Sequence, residues 1–401
     1  YFSFISGGLG GLLSGLGLLN GWIVFIWLGI ALLWLANRHI LGGFFWGLFA
    51  LLVSHSWLLS LHPLTWLGIP IRTSLPLVTA VWISCGIASG LLVGLWTWLA
   101  NCSALVGFRD GSFLERVTFA VVLSCVWGLS EVFLAHSPLF WIGIGGSVLP
   151  GDRFLAGLAR WIGAGGLASI QLLIGFWLWQ TVFALSRGIA WRKIFFLGLF
   201  LFLVIHLIGS GLLSRKNFSA PIPVAIWQPD IPIRTKFSIE QQKRLPIEIQ
   251  KSLDRAEDLS ASWLVSPEGM INSNQELLAP TPIPFITGGF RWVRGSQRSS
   301  LLVFEPGEKR FSLAIDKHRL VPLGEKVPNL PYLSNKSLSA VGSLEPGNSS
   351  RLLSWSGPPA AVAICYELSD GHALAKAVKG GAEWILAVAN LDPYPISLQR
   401  Q

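Results

Sequence analysis

Three short stretches of this 401-residue chain end an apolar run in a side chain able to do covalent chemistry. "AVAICYELSDG" (361–371) runs into Cys365, "WLVSPEGM" (263–270) reaches Glu268, and "LAIDKHRLVPLGEKVP" (313–328) places Lys317 just past an apolar run, with Glu325 in the loop beyond. A thiol that attacks a carbonyl needs a base for its proton and a positive group for the charge that builds on oxygen. At neutral pH an ordinary thiol, with a pKa of about 8.5, is mostly protonated, so a close carboxylate must take the proton as attack occurs. A Cys, a Glu and a Lys supply these parts. Each also has a plainer reading: a lone Cys is most often a small buried hydrophobe, Glu and Lys are mostly solvated, and Pro-Glu-Gly can be a mere turn. Position favours chemistry, because a strand end that turns into a helix exposes its side chain above the sheet and aims backbone N–H groups at it.

The other cysteines, Cys85, Cys102 and Cys125, lie in or beside long apolar segments. Cys365 therefore has no disulfide partner nearby, and no Cys or His stands at metal-ligand spacing, so neither metal nor cofactor is expected.

The elements that must position these residues fall into two kinds. Hydrophobic residues make up 52% of the chain, charged ones only 13%, and the mean hydropathy is +0.57, too apolar for an ordinary water-soluble protein. Only 13 charged side chains fall within residues 1–214. Hydropathy there predicts about seven membrane spans, at 4–19, 21–36, 40–60, 77–100, 117–135, 161–185 and 193–213, the first two short and Gly-rich enough to form one re-entrant hairpin instead. Arg38, Arg109 with Arg116, and Arg187, Arg192 with Lys193 fall in alternate loops, which predicts a cytoplasmic N-terminus and an outside location for everything after the seventh span. Glu131, inside a predicted span, is costly there unless it pairs with an Arg near the interface or relays protons. The only Met is Met270 and the chain starts at Tyr1, so a fragment of a longer protein is expected.

Beyond residue 220 short Val- and Ile-rich runs closed by Gly, Pro or Asn predict strands buried on both faces, starting near 224, 262, 284, 299, 310, 360 and 384. Leu245, Ile249, Leu253 and Ala256 make one apolar helix face, and "HALAKAVKGG" reads as a helix closed by Gly. This is an α/β domain over 221–401 after a transmembrane domain over 1–214. The excess of nine positive charges is not gathered into a stripe with interleaved aromatics, so no nucleic-acid partner is expected.

"SPEG", "DKHRLVPLGEKVP" and "ICYE" resemble the Glu, Lys and Cys motifs of the nitrilase superfamily. With seven spans ahead of them, and with "SPLFWIGIG" and "VAIWQPDIPIRTKF" similar to a membrane loop and an opening strand, the chain resembles one branch, the bacterial apolipoprotein N-acyltransferases. The resemblance implies an α-β-β-α sandwich, Cys365 as nucleophile, Glu268 as general base and Lys317 as oxyanion stabiliser. Glu325, Tyr366 and Glu367 match supporting positions; Glu325 either orients Lys317 or is an ordinary loop carboxylate. Phe237 and "PNLPYL" match a lipid entrance, although Phe237 has core packing as its plainer reading. The implied reaction moves an acyl chain from a phospholipid donor, through a thioester, to the N-terminus of a diacylated apolipoprotein. The implied setting is the bacterial inner membrane, with a monomeric multi-pass protein whose catalytic domain faces the periplasm. One departure stands out: "ANLDPYPISLQRQ" replaces the family's Asn-Asp-Ala-Trp-Phe-Gly run, and further strands and a last span are expected beyond Gln401, which makes the sequence look truncated. A membrane-tethered amidase that releases its acyl group to water would share the site. A transporter with a merely binding soluble domain would need polar or broken helices at mid-membrane, and few such features besides Glu131 are present.

Overall fold

The computed structural model describes residues 2–67, 69–102, 111–137, 143–214, 222–232, 235–236, 238–273, 275–321, 325–326 and 344–391. The chain divides into two compact units, one of apolar helices and one of sheets flanked by helices.

The first unit holds α1 (Phe2–Asn20), α2 (Ile23–Ala36), α3 (Ile40–Ser54), α4 (Ile71–Asn101), α5 (Phe113–Ala135), α6 (Ala159–Ser186) and α7 (Trp191–Leu213). Five of these, α1 and α4 to α7, are long and apolar enough to cross a membrane. The shorter α2 and α3, at 14 and 15 residues, extend only about 21–23 Å at 1.5 Å per residue. The span predicted over 40–60 ends its α-helical part at Ser54 and passes into a 3₁₀ segment, Ser56–Leu61. Glycine in α1 serves close packing: a Cβ at Gly7 or Gly11 would overlap the α3 backbone at Gly42 or Trp46. In lipid, where no hydrophobic effect drives helix against helix, such close approach supplies the attraction. Behind it Trp34, Trp46, Trp96 and Trp127 pack edge to face.

Glu131 is buried in this unit. Its carboxylate accepts from Trp127 Nε1 at 2.9 Å, Ile144 N at 2.9 Å and Gly145 N at 3.1 Å. The charge is thus met by N–H donors, and it pins the 143–148 loop to α5.

The second unit has two sheets. β1 (Val224–Ile226), β2 (Trp263–Val265), β3 (Phe285–Val293), β4 (Ser296–Phe304) and β5 (Leu313–Asp316) form one in sequence order, parallel across the first three and antiparallel beyond. β6 (Leu352–Leu353), β7 (Ala360–Ile364) and β8 (Trp384–Val388) form the other. Alternate residues explain the continuous apolar runs. Val265, Ile286, Leu301 and Val303 face Val362, Ile364, Leu386 and Val388 between the sheets. Leu264, Phe285, Leu302 and Phe304 face outward to α8 (Ile239–Asp258), which contributes the predicted Leu245, Ile249, Leu253 and Ala256. On the far side α9 (Gly371–Lys379) sets Ala377 against Ala361 of β7. The layers run helix, sheet, sheet, helix, the expected α-β-β-α sandwich. All seven predicted strands are present; two-residue β6 is additional. Burial on both faces fails at β1 and β8, where Ile226 is 79% and Ile385 55% exposed. Both lie at the end of a sheet, so fewer neighbours cover them.

Candidate active site

Glu268, Lys317 and Cys365 each follow a strand, but not neighbouring ones: β2, β5 and β7. Glu268 reaches Lys317 because residues 266–271 leave β2 and cross the end of β3. Ser266 N bonds Ile286 O, Met270 N bonds Gly288 O at 2.8 Å, and Ile271 pairs with Gly289. The crossing needs glycine at 288, where a Cβ would overlap Glu268 Cα and crowd Gly269 N and Pro267 O. Gly269, at φ +67°, makes the turn that follows Glu268.

Lys317 is 1% exposed and held by its backbone on both sides, its N–H bonding Ser299 O and its C=O accepting from Gly347 N, each at 2.8 Å. Its ammonium donates to Glu268 Oε1 at 2.8 Å and to Glu325 Oε1 at 2.8 Å. An ammonium has three donors, so one remains for a ligand among the described residues. Burial works against the charge, but Glu268 and Glu325 outweigh it and hold Lys317 above the ordinary amine range. Glu325 Oε2 also accepts from Val321 N at 2.8 Å, and burial pushes this carboxyl up despite the ammonium beside it. Of the two readings of Glu325, the geometry is that of a partner to Lys317.

Cys365 begins a 3₁₀ segment directly after β7 and has φ +52°, a left-handed conformation that is rare and strained for a residue with a side chain. The thiol lies within reach of the Glu268, Lys317 and Glu325 charges. Burial first, then the Glu268 charge, pushes it up to about 12, with Lys317 pulling the other way. The shift favours the thiol over the thiolate, and Glu268 is the neighbouring carboxylate able to take its proton.

Tyr366 is half-buried, with the Arg319 guanidinium 4.8 Å from its ring centre. Glu367 is fully buried, and its carboxylate receives Arg351, the His318 main chain and ring, and Ile364 N. Phe237 and "PNLPYL" lie outside the described residues. Sequence reading singled out none of Lys236, His318, Arg351 and Asp370, all of which the fold brings here. Lys236 Nζ donates to Glu268 O at 3.0 Å. Among the described residues no group of three or more His, Cys, Asp and Glu is placed to hold a metal ion.

No protein-family model matches the chain. An apolipoprotein N-acyltransferase from Prochlorococcus marinus (strain MIT 9313) is 55% identical over 399 residues, covering all of this chain and 80% of the relative. Another, from Parasynechococcus marenigrum (strain WH8102), is 49% identical over 394 residues, 98% of this chain and 82% of the relative. Among solved structures, an amidase from Nesterenkonia sp. is similar at a TM-score of 0.28 and 14% identity, over 42% of this chain and 64% of its own, too slight a likeness to bear on function. At these identities over almost its whole length, the chain belongs to the apolipoprotein N-acyltransferase family.

Proposed function

We propose that the protein moves a fatty acyl chain from a membrane glycerophospholipid to the N-terminal amine of the diacylglyceryl-cysteine of apolipoproteins, through a thioester on Cys365. The observation that carries the reading is the Lys317 ammonium shared by Glu268 and Glu325 at 2.8 Å each, with the Cys365 thiol close enough to feel all three charges. In the first half-reaction Cys365 Sγ attacks the ester carbon as its proton passes to Glu268. Lys317 holds the tetrahedral oxyanion, the ester C–O bond breaks, and Glu268 returns the proton to the departing lysophospholipid oxygen. In the second, the amine attacks the thioester carbon and gives a proton to Glu268; the C–S bond breaks and sulfur recovers that proton. Both substrates are anchored in lipid, so a site tethered to membrane helices meets them in two dimensions. We place the protein, as a monomer, in the inner membrane with the α/β unit on the periplasmic side, supported by the basic residues Arg38, Arg187, Arg192 and Lys193.

The test is a phospholipid labelled in its acyl chain, supplied with a diacylated lipopeptide. Intact-mass spectrometry should find a hydroxylamine-sensitive acyl adduct on Cys365, and the label should end on the lipopeptide N-terminus. Label released as free fatty acid with acceptor present would make the enzyme a hydrolase.

The crossing at Gly288 yields a second expectation. Gly288→Ala must push the 267–269 backbone away from β3 and carry Glu268 with it. Adduct formation should fall by about 10²-fold, as displacements near 1 Å do. Circular dichroism should still report a folded sandwich; a folded variant at the wild-type rate would count against this placement of Glu268.

A further inference from the structure

We propose that Arg351 and His318, with Glu367 between them, form a buried charge lock that sets the Lys317 strand end of one sheet against the Cys365 strand end of the other. They are then positioning residues for the reaction, and the proposal rests on the reading of Cys365 as nucleophile.

Lys317 follows β5 in the five-stranded sheet and Cys365 follows β7 in the three-stranded one, so no shared strand ladder fixes their separation. Arg351 bridges that gap. Its Nη2 donates to Asp316 O at 2.7 Å, the peptide next to Lys317, and to Asn348 O. Its Nη1 donates to the two Glu367 oxygens at 2.9 and 3.0 Å, two residues past Cys365. Its own carbonyl accepts from Val362 N on β7 at 2.8 Å. Glu367 completes the link, taking Ile364 N at 2.9 Å from the Cys365 side and His318 N at 2.7 Å and Nδ1 at 2.5 Å from the Lys317 side. The other ring nitrogen of His318 meets Asp370 Oδ2 at 2.9 Å, and Asp370 caps α9 through Ala373 N. A carboxylate oxygen thus meets each ring nitrogen of His318, and Arg351 is only 2% and Glu367 1% exposed.

A buried ion pair is no better for stability than well-packed apolar residues of the same volume. What it does supply is direction, because each bond fixes an angle as well as a distance. The bonds of the lock go to the neighbours of Lys317 and Cys365, so it acts on where those residues stand.

The experiment uses the whole protein in detergent with phospholipid vesicles, and follows adduct growth on Cys365 over one turnover while donor concentration is varied. Arg351→Lys keeps the charge but has no planar fork to serve Asp316 O and Glu367 together. Arg351→Met with Glu367→Leu removes both charges and keeps volume, the exchange that buried ion pairs tolerate best. Both should melt cooperatively, and both should acylate about 10²-fold more slowly at saturating donor, with the half-saturating donor concentration unchanged. A folded double variant that acylates at the wild-type rate would overturn the lock while leaving the nucleophile in place. A rate that falls only in step with the folded fraction would also overturn it. Wild-type protein that forms no adduct on Cys365 would overturn both the lock and the reading beneath it.

Discussion

Glu268→Gln is expected to slow acyl transfer by roughly 10²–10⁴-fold, the usual contribution of a positioned general base, while making Cys365 easier to alkylate. The two effects share a cause. Burial and the Glu268 charge together push the thiol up to about 12, against the pull of Lys317. Glutamine removes the negative charge and leaves the ammonium, so the thiol pKa falls and the thiolate fraction at about pH 8 rises. In the wild type that fraction grows tenfold per pH unit until near the pKa, so the iodoacetamide rate should climb without levelling across about pH 8–11. In the variant the climb should level at lower pH. Intact-mass alkylation rates beside turnover check both. If reactivity and turnover fall together across the whole range, Glu268 orients the sulfur and does not hold its proton.

The site was legible where chemistry coincides with the end of a strand. Val- and Ile-rich runs broken by Pro or Gly mark strands, and "SPEG", "DKH" and "ICYE" each put a reactive group at such a break. What brings the three together was not legible. "PFITGGF" reads as one more strand, and nothing local says that Gly288 lets another segment cross it. Arg351 and His318 stand 33 positions apart in polar loops and become partners only when two sheets stack, since both bond the same Glu367 oxygen. Edge strands β1 and β8 were misread as covered because an apolar run records what a strand can bury, not what lies beside it. The contacts of Glu131 at 144 and 145 were hidden for a similar reason: both are backbone N–H groups, which no side-chain pattern encodes.

Lys317→Met should damage both function and fold, and pH should separate the two. In the proposed mechanism, loss of the oxyanion partner costs about 10²–10³ in rate. Loss of the buried ammonium also strands two carboxylates that now share it at 2.8 Å each, a penalty of roughly 3–5 kcal/mol when one partner of a buried ion pair is removed. Glu325 can reduce that penalty by taking up a proton. Burial already raises Glu325, and Lys317 is the strongest force opposing the rise, so without Lys317 the folded-state pKa climbs further. A group whose folded pKa exceeds its unfolded value gives stability that is fully present below the unfolded pKa and lost as pH rises through the folded one. Relative to wild type the variant should therefore be nearly normal at about pH 4.5 and progressively weaker toward pH 8. Thermal melts of the two proteins at both pH values measure the gap. Adding Glu325→Gln to Lys317→Met removes one stranded charge, so it should recover much of the melting temperature at pH 8 and none of the turnover. A gap independent of pH, or a double variant no more stable than the single, would mean that the ammonium contributes packing and not charge balance.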